Sequence, residues 1–454
     1  AADVAHGHQL WKSDGTQAGS VLVKDILPGT SNSNPQGFAS LNNKVFFAAN
    51  DGTSGKELWS SDGTVDGTVQ VKDICAGTAG SMPESVYEGH LFPANGTLFF
   101  AASNGTNGTE LWKTDGTATG TVMVKDINTG EPAKFSPKYE QAANGKLVFN
   151  ANDGIHGEEL WQSDGTAVGT ILLKDINYGS ASSGASPLAY IGGETLFSAY
   201  QSTSGDELYH TNGTPGGTWL VKDIFPGLSS FGGIPNSSSP HSMVKYKDYW
   251  YVLAYNSTGG NLWKTDGTAE GTIAVTTGLN LMGVVPFNDK LLLYDQGMGL
   301  WECDGTAASL RLIMDFGNTN NGGSYFFWPT LVNGTLFFAL NDGMHGREVW
   351  KTDGTAAGTM MVKDINPSVS STGPSNLISA GGLLYFFAND GIHGKELWKS
   401  DGTESGTTMV KDVYADISYN PPQLINVNGT VFFYADDGVH GYELWKSDGT
   451  EAGT

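Results

Sequence analysis

Along the 454 residues one aromatic position keeps returning in the same setting: Trp11, Trp59, Trp112, Trp161, Tyr209, Trp263, Trp301, Trp350, Trp398 and Trp445. Successive copies lie 47 to 54 residues apart, except for a step of 38 between Trp263 and Trp301. A period of that size constrains the fold more than any local propensity does. Each unit is too small to bury both of its own faces, so neighbours must stack to build a core. The second half of one copy, from Asn389 to Val413, reads "NDGIHGKELWKSDGTESGTTMVKDV".

Each unit reads as four short strands. In the last copy, Gln423 to Val427 ("QLINV") is a first strand. Asn428-Gly429 follows as a strong hairpin signal, and Val431 to Ala435 ("VFFYA") is the second strand. A "DDGVHG" turn leads to the third, "YELWKS", and in complete copies "DGT..GT" turns into a fourth, as at Thr408 to Val413. No amphipathic run of period 3.6 persists as a helix would require. The 63 glycines against 17 prolines suit many tight turns.

Four antiparallel strands per unit of about 48 residues, repeated, predict an all-β fold. The expected architecture is a β-propeller of about nine to ten blades spanning residues 1–454 as a single array. The alternative is two smaller propellers with a junction within 207–316, where the repeat departs furthest from its pattern: "ELYHTNGT", "NLWKTDGTAEGTIAVTTGL" and "GLWECDGTAASLRLIMDF". The opening "AADVAHGHQLW" aligns with the middle of a repeat, so the chain is expected to begin inside a longer polypeptide.

These units resemble the ELWxxDGT repeat of large secreted and surface-associated proteins, over essentially the whole chain. The resemblance implies a propeller-like array outside the cell, extracellular or at the cell surface. It brings no catalytic residue set with it.

Charge excludes some partners. With 24 Lys and Arg against 47 Asp and Glu, the net charge of -23 repels nucleic acid and anionic membrane, and no apolar run is long enough to insert in a bilayer. Cys75 and Cys303, in different repeats, make neither a disulfide framework nor a zinc site.

The recurring polar residues read as structural. Around the four-residue turn of "ELWSSDGTVDGTVQVK", pairing Asp62 with Gly67 sets Trp59 opposite Gln70 and Glu57 opposite Lys72. A cross-strand ion pair is therefore expected there. The same pair is expected for Glu110 with Lys125, Glu159 with Lys174, Glu348 with Lys363 and Glu396 with Lys411. Trp59, Trp112, Trp161, Trp350, Trp398 and Trp445 are expected to pack between blades, whereas Trp219, Trp250 and Trp328 fall outside the repeat position and are better candidates for exposed aromatics. The Asp of "SDGT" should bond amides of its own turn, with Gly supplying a positive φ. His6, His156, His345, His393 and His440 all stand five residues before the aromatic, as turn braces, with Ser54 and Ser204 in the equivalent place elsewhere.

No cofactor is expected. Calcium is the one ion weighed, because Asp51, Asp153, Asp342, Asp390 and Asp437 share a carbonyl-rich turn, although the spacing is not that of an EF-hand. Asn95, Asn104, Asn107, Asn212, Asn236, Asn256, Asn333 and Asn428 begin glycosylation sequons, for use if the source is eukaryotic. The expected function is a non-enzymatic structural scaffold of a surface, matrix or appendage glycoprotein, partnered by other protein chains of a larger assembly. The alternatives are a lectin-like propeller that binds glycans, and a propeller glycosidase or lyase, although no pair of acids stands apart from the repeat as such an enzyme would need.

Overall fold

The computed structural model describes the chain except for residues 83–90, 95, 130–140, 144–145, 192, 230–231, 298, 318–326, 368–372 and 414–422. It is all-β, with two single-turn 3-10 segments, Pro215–Gly217 and Ala307–Ser309. Among the described residues no helix is long and apolar enough to cross a membrane.

Each complete repeat forms one four-stranded antiparallel sheet whose strands follow chain order. The second copy shows the pattern, with strands Gln36–Leu41, Lys44–Asn50, Lys56–Ser61 and Val69–Lys72. Eight such sheets occur among the described residues, together with two two-stranded sheets from the first copy and a three-stranded one from the last. The strands and hairpins expected from the sequence are therefore present, and the last copy runs Ile425–Val427, Thr430–Asp436 and Tyr442–Ser447. Two compact units divide the chain. One comprises Ala1–His241 with Gly267–Ala269, the other Ser242–Asp266 with Glu270–Thr454.

Within each unit the core lies between consecutive sheets. In the first unit, Phe46, Ala48 and Leu58 of one sheet meet Leu98, Phe100 and Trp112 of the next. The other face of that first sheet, through Phe47, Ala49 and Trp59, meets Leu10, Val23 and Ile26 of the sheet before it. The second unit repeats the arrangement, as where Phe337, Val349 and Val362 meet Leu384, Phe386 and Trp398. Apolar residues on both faces of the second and third strands are thus explained, since period-two alternation presents each face to a different neighbour. Trp59, Trp112, Trp161 and Trp398 are 6–7% exposed and sit in these seams. Trp350 and Trp445 are partly buried in theirs, and Tyr209 takes the Trp place in another.

One register differs from expectation. Trp59 does pair with Gln70, but between that pair and the next the ladder slips, so that Lys72 faces Leu58 and not Glu57. Val71 is the extra residue of a β-bulge. The same slip recurs at Leu111/Trp112, Leu160/Trp161, Val349/Trp350 and Leu397/Trp398. The Glu–Lys cross-strand pair is therefore not formed in any of these repeats, and both partners find other work.

Candidate functional site

The charged residues of the repeat fall into three constellations, each built by a different part of the sheet. The first is a carboxyl niche. Glu57 is wholly buried, with Oε2 accepting the amide of Ile74 at 3.1 Å and the hydroxyl of Ser81 at 2.5 Å, while Oε1 accepts the amide of Cys75 at 3.2 Å. It holds the chain as it leaves the fourth strand. Glu110, Glu159, Glu207, Glu348 and Glu396 are equally buried and accept amides of their own repeats in the same manner, such as Ile127, Ile176, Ile224, Asn366 and Val413. Removal from water pushes the carboxyls of Glu110, Glu159, Glu207 and Glu348 up to about 7, against the opposing pull of the bonds they accept.

The first repeat places Gln9 in this niche. Its Oε1 accepts the amides of Ile26 and Leu27 and the hydroxyl of Ser33, while its Nε2 donates to the carbonyls of His6, Leu27 and Ser31. A neutral amide thus fills the same site. The two most divergent repeats do without the carboxyl. Asn261 donates to Asn256 Oδ1, Thr258 Oγ1 and the Gly259 carbonyl, and Gly299 leaves Asp295 to accept both its amide and the Trp301 indole N–H at 2.7 Å.

The second constellation is a lysine latch. Released by the bulge from its expected partner, Lys72 reaches the following repeat, where its ammonium donates to the Thr121 carbonyl at 2.7 Å. Lys24 does the same to Thr68, Lys125 to Thr170, Lys174 to Thr218, Lys363 to Thr407 and Lys411 to Thr454. On the way Lys125, Lys363 and Lys411 pass over the rings of Trp161, Trp398 and Trp445 at 5.6–5.9 Å, within cation–π range. A second lysine after the Trp adds a parallel tie: Lys12 to Gly63, Lys113 to Gly165, Lys351 to Gly402 and Lys399 to Gly449.

The third comprises the turns. Asp62 Oδ1 accepts both the amide and the hydroxyl of Thr64, Thr64 Oγ1 accepts the Gly67 amide, and Ser61 and Thr68 close the base through their hydroxyls at 2.7 Å. Gly63 has a φ of 86°, as the turn requires. Asn212 takes the Asp role with Thr214, so one sequon is spent on turn geometry. At the other end of the third strand, His156, His345, His393 and His440 each hold an Asp three residues earlier through Nδ1 at 2.7 Å, with the same carboxylate accepting the histidine's amide. His6 pairs with Asp3 in this way, and Ser54 replaces the imidazole against Asp51. Asp51, Asp153, Asp342, Asp390 and Asp437, weighed as calcium ligands, are thus engaged with turn amides and, in four cases, an imidazole. The described residues contain no grouping of three or more His, Cys, Asp or Glu fit to hold a metal ion.

The sequon asparagines are scattered. Asn95 lies outside the described residues. Asn333 and Asn428 are exposed hairpin residues with φ of 48° and 51°. Asn104 donates to Asn107, which donates to Asp126; Asn236 donates to the Pro226 carbonyl; Asn256 accepts from Thr258. Of the three aromatics outside the repeat, Trp219 is 39% exposed and lies 4.1 Å from the His210 ring, Trp328 is 37% exposed, and Trp250 is half-buried beside Lys245.

Sequence reasoning overlooked a pair of cations on the third strand. Arg347 and Lys395 occupy the same position in consecutive sheets, and the Arg347 guanidinium lies over the Phe327 ring at 4.5 Å. Basic residues in successive repeats, where other copies carry Thr109, Glu158 or Asp206, were the available signal.

No protein-family model and no curated protein matches the sequence. Among solved structures the chain is similar to the computationally designed Ika8 protein, at TM-score 0.39 and 12% identity over 97% of this chain and 99% of that one. It is similar to BamB from Moraxella catarrhalis at TM-score 0.37 and 14% identity, covering 80% of this chain and 93% of that one. A puromycin hydrolase aligns with TM-score 0.36 and 13% identity, and there 96% of this chain matches 61% of the other.

Proposed function

We propose that the chain is a non-enzymatic scaffold segment of an ELWxxDGT-type repeat protein, extracellular or at the cell surface, whose sheets serve as blades of one or two propeller rings that hold other protein chains. One observation carries this reading. In the repeats that keep the pattern, the side chains that could do chemistry are committed to holding the repeat: the buried glutamates to amides, the lysines to the next sheet, and the aspartates and histidines to turns. What remains outward are turns on a strongly acidic chain, several of them carrying an exposed apolar residue such as Ile155, Met344, Ile392 or Val439, suited to contact with partners. In a eukaryotic secretory pathway, Asn428 is the sequon best placed to carry a glycan, being exposed at a hairpin tip, whereas the Asn333 amide, equally exposed, donates to the Gly382 carbonyl at 2.8 Å.

Cross-linking with mass spectrometry on the native surface or matrix fraction tests the assignment. Links from rim-loop residues to other chains, together with inertness of the isolated chain towards glycoside and ester substrates, are expected. Turnover that one acid-to-amide substitution abolishes would overturn it.

A further inference from the structure

Where the first copy meets the second, the chain encloses a cavity of about 180 Å³, lined by His8, Ser33, Asn34, Gln36, Asn50 and Lys56. Backbone ties hold its walls. The His8 carbonyl accepts the amides of Ser33 at 3.0 Å and Asn34 at 3.3 Å, and the Ser33 carbonyl accepts the Asn50 amide at 2.9 Å. The His8 amide donates to Asn32 Oδ1 at 2.7 Å. The same frame recurs along the array: the Lys56 carbonyl accepts from Ser81 and Met82, the Glu158 carbonyl from Ser183, and the Asp206 carbonyl from Ser238 and Ser239. The lining does not recur. The residue after the serine is Asn34 here and Met82, Gly184 or Ser239 elsewhere; two places on, Gln36 gives way to Ser186 or His241. His8 stands where other copies carry Thr109, Glu158 or Asp206. The frame therefore belongs to the repeat, and the side chains set in it belong to this seam alone.

That lining holds hydrogen-bonding capacity the fold does not use. Ser33 is spent on Gln9 and the His8 carbonyl, and Lys56 has its own interactions, so the site does not turn on a free charge. Among the described residues His8 Nδ1 is buried with no partner, and the carboxamides of Asn34 and Gln36 make no hydrogen bond. Asn50 uses only Oδ1, which accepts the Gly52 amide at 2.7 Å, and leaves its Nδ2. A ring nitrogen taken from water with nothing in exchange costs free energy. Burial also holds the His8 imidazole below the usual histidine range, in its neutral form. These group types select a ligand. Neutral imidazole donates or accepts according to tautomer, and a carboxamide does both. A hydroxyl does both as well and suits all four, whereas a carboxylate only accepts and must approach a chain of net charge -23. The volume is several times the roughly 30 Å³ share of a water molecule, yet below the roughly 300 Å³ at which drug-sized sites begin. It fits one small ring.

We propose that the cavity between the first and second copies binds a neutral, hydroxyl-rich ring, a single sugar residue or a cyclic polyol. His8 Nδ1, the Asn34 and Gln36 carboxamides and Asn50 Nδ2 take its hydroxyls. The inference goes beyond the scaffold reading, which stands or falls on the cross-linking result and not on this one.

Calorimetric titration of the full chain at millimolar ligand tests it, with methyl glucoside, methyl galactoside, methyl mannoside and myo-inositol as neutral probes. Cyclohexanol and glucuronate are the contrasts. At least one neutral probe should bind, more tightly than either contrast, and should move the His8 ring-nitrogen resonances. N34G and Q36S copy Gly184 and Ser186 of another seam, and glycine accepts the φ of 47° at position 34. Each should weaken binding about fivefold, the loss of one neutral hydrogen bond, and the two together by about tenfold or more. H8T, copying Thr109, should weaken it to a similar degree and serves should the double variant fail to fold. All should melt within a few degrees of the parent, since other copies fold with these residues. The proposal is overturned if no neutral probe binds, if a contrast binds as tightly, or if the double variant and H8T bind as the parent does.

Discussion

Replacing Glu159 by Gln should stabilise the protein at alkaline pH and leave it nearly unchanged in acid. The Glu159 carboxyl is fully buried, accepts the Ile176 and Asn177 amides at 3.2 Å each, and is pushed up from 4.5 to about 7 chiefly by desolvation. Between those two values the folded chain keeps a proton that the unfolded chain has released, so stability falls as pH rises. The contribution is complete below about pH 4.5 and is lost as pH passes through 7. The difference of roughly 2.5 pH units, at about 1.4 kcal/mol each, corresponds to about 3 kcal/mol for this one group. An amide in this niche has a working geometry to follow. The first repeat supplies its own precedent in Gln9, whose partners His6, Ile26, Leu27, Ser31 and Ser33 correspond in spacing to His156, Ile176, Asn177, Ala181 and Ser183. Denaturant unfolding and hydrogen exchange of the 158–177 peptide, at about pH 5 and about pH 8.5, measure both ends of the titration. The parent should lose protection in that peptide at the higher pH, and E159Q should lose less. If E159Q weakens the repeat equally at both pH values, the niche requires a charge and the reasoning fails.

Other substitutions probe the remaining constellations. Lys125→Met keeps most of the aliphatic stem but removes the bond to the Thr170 carbonyl, and should cost about 1–2 kcal/mol, read as faster exchange in its own repeat, at 110–125, more than at 166–172 in the following one. Asp164→Ala unties the Thr166 amide and hydroxyl and should cost about 1–2 kcal/mol by denaturant unfolding. Trp112→Ala opens the seam between two sheets and should cost about 3–5 kcal/mol, with the melting temperature of the first unit falling and that of the second unchanged. His393→Ser, copying the Ser54 turn, should unfold at nearly the parental denaturant concentration.

The period and the turns were legible because their chemistry is local. Asp-Gly-Thr writes its own hydrogen bonds within three residues, and the strand following each turn needs nothing from outside to be recognised. The register of the fourth strand was not, since a single extra residue, Val71 and its counterparts, reverses which face Lys72 uses. Nothing in a valine announces a bulge. Its cause is the twist and the neighbouring sheet, both tertiary. Counting in steps of two across such a point put the lysine against Glu57, when it belongs to Thr121 of the next repeat. Arg347 and Lys395 were obscured for a different reason: composition averaged a half-buried and a buried cation into an acidic whole, and the position just before each "ELW" or "EVW" reads as variable until the sheets bring successive copies side by side.

The lysine latches all point one way, from each repeat to its successor: Lys24 to Thr68, Lys72 to Thr121, Lys363 to Thr407. The array therefore behaves like roof slates laid in courses, each pinned by the one that follows. Damage to a turn should loosen the preceding repeat more than the next, giving local unfolding a direction along the chain. Thr276 and Met314 stand where the latch lysine would be in the two most divergent repeats, Thr276 bonding within its own sheet and Met314 packing in an apolar seam. A loosening that travels back along the second unit should stop there, making those two sheets a natural firebreak.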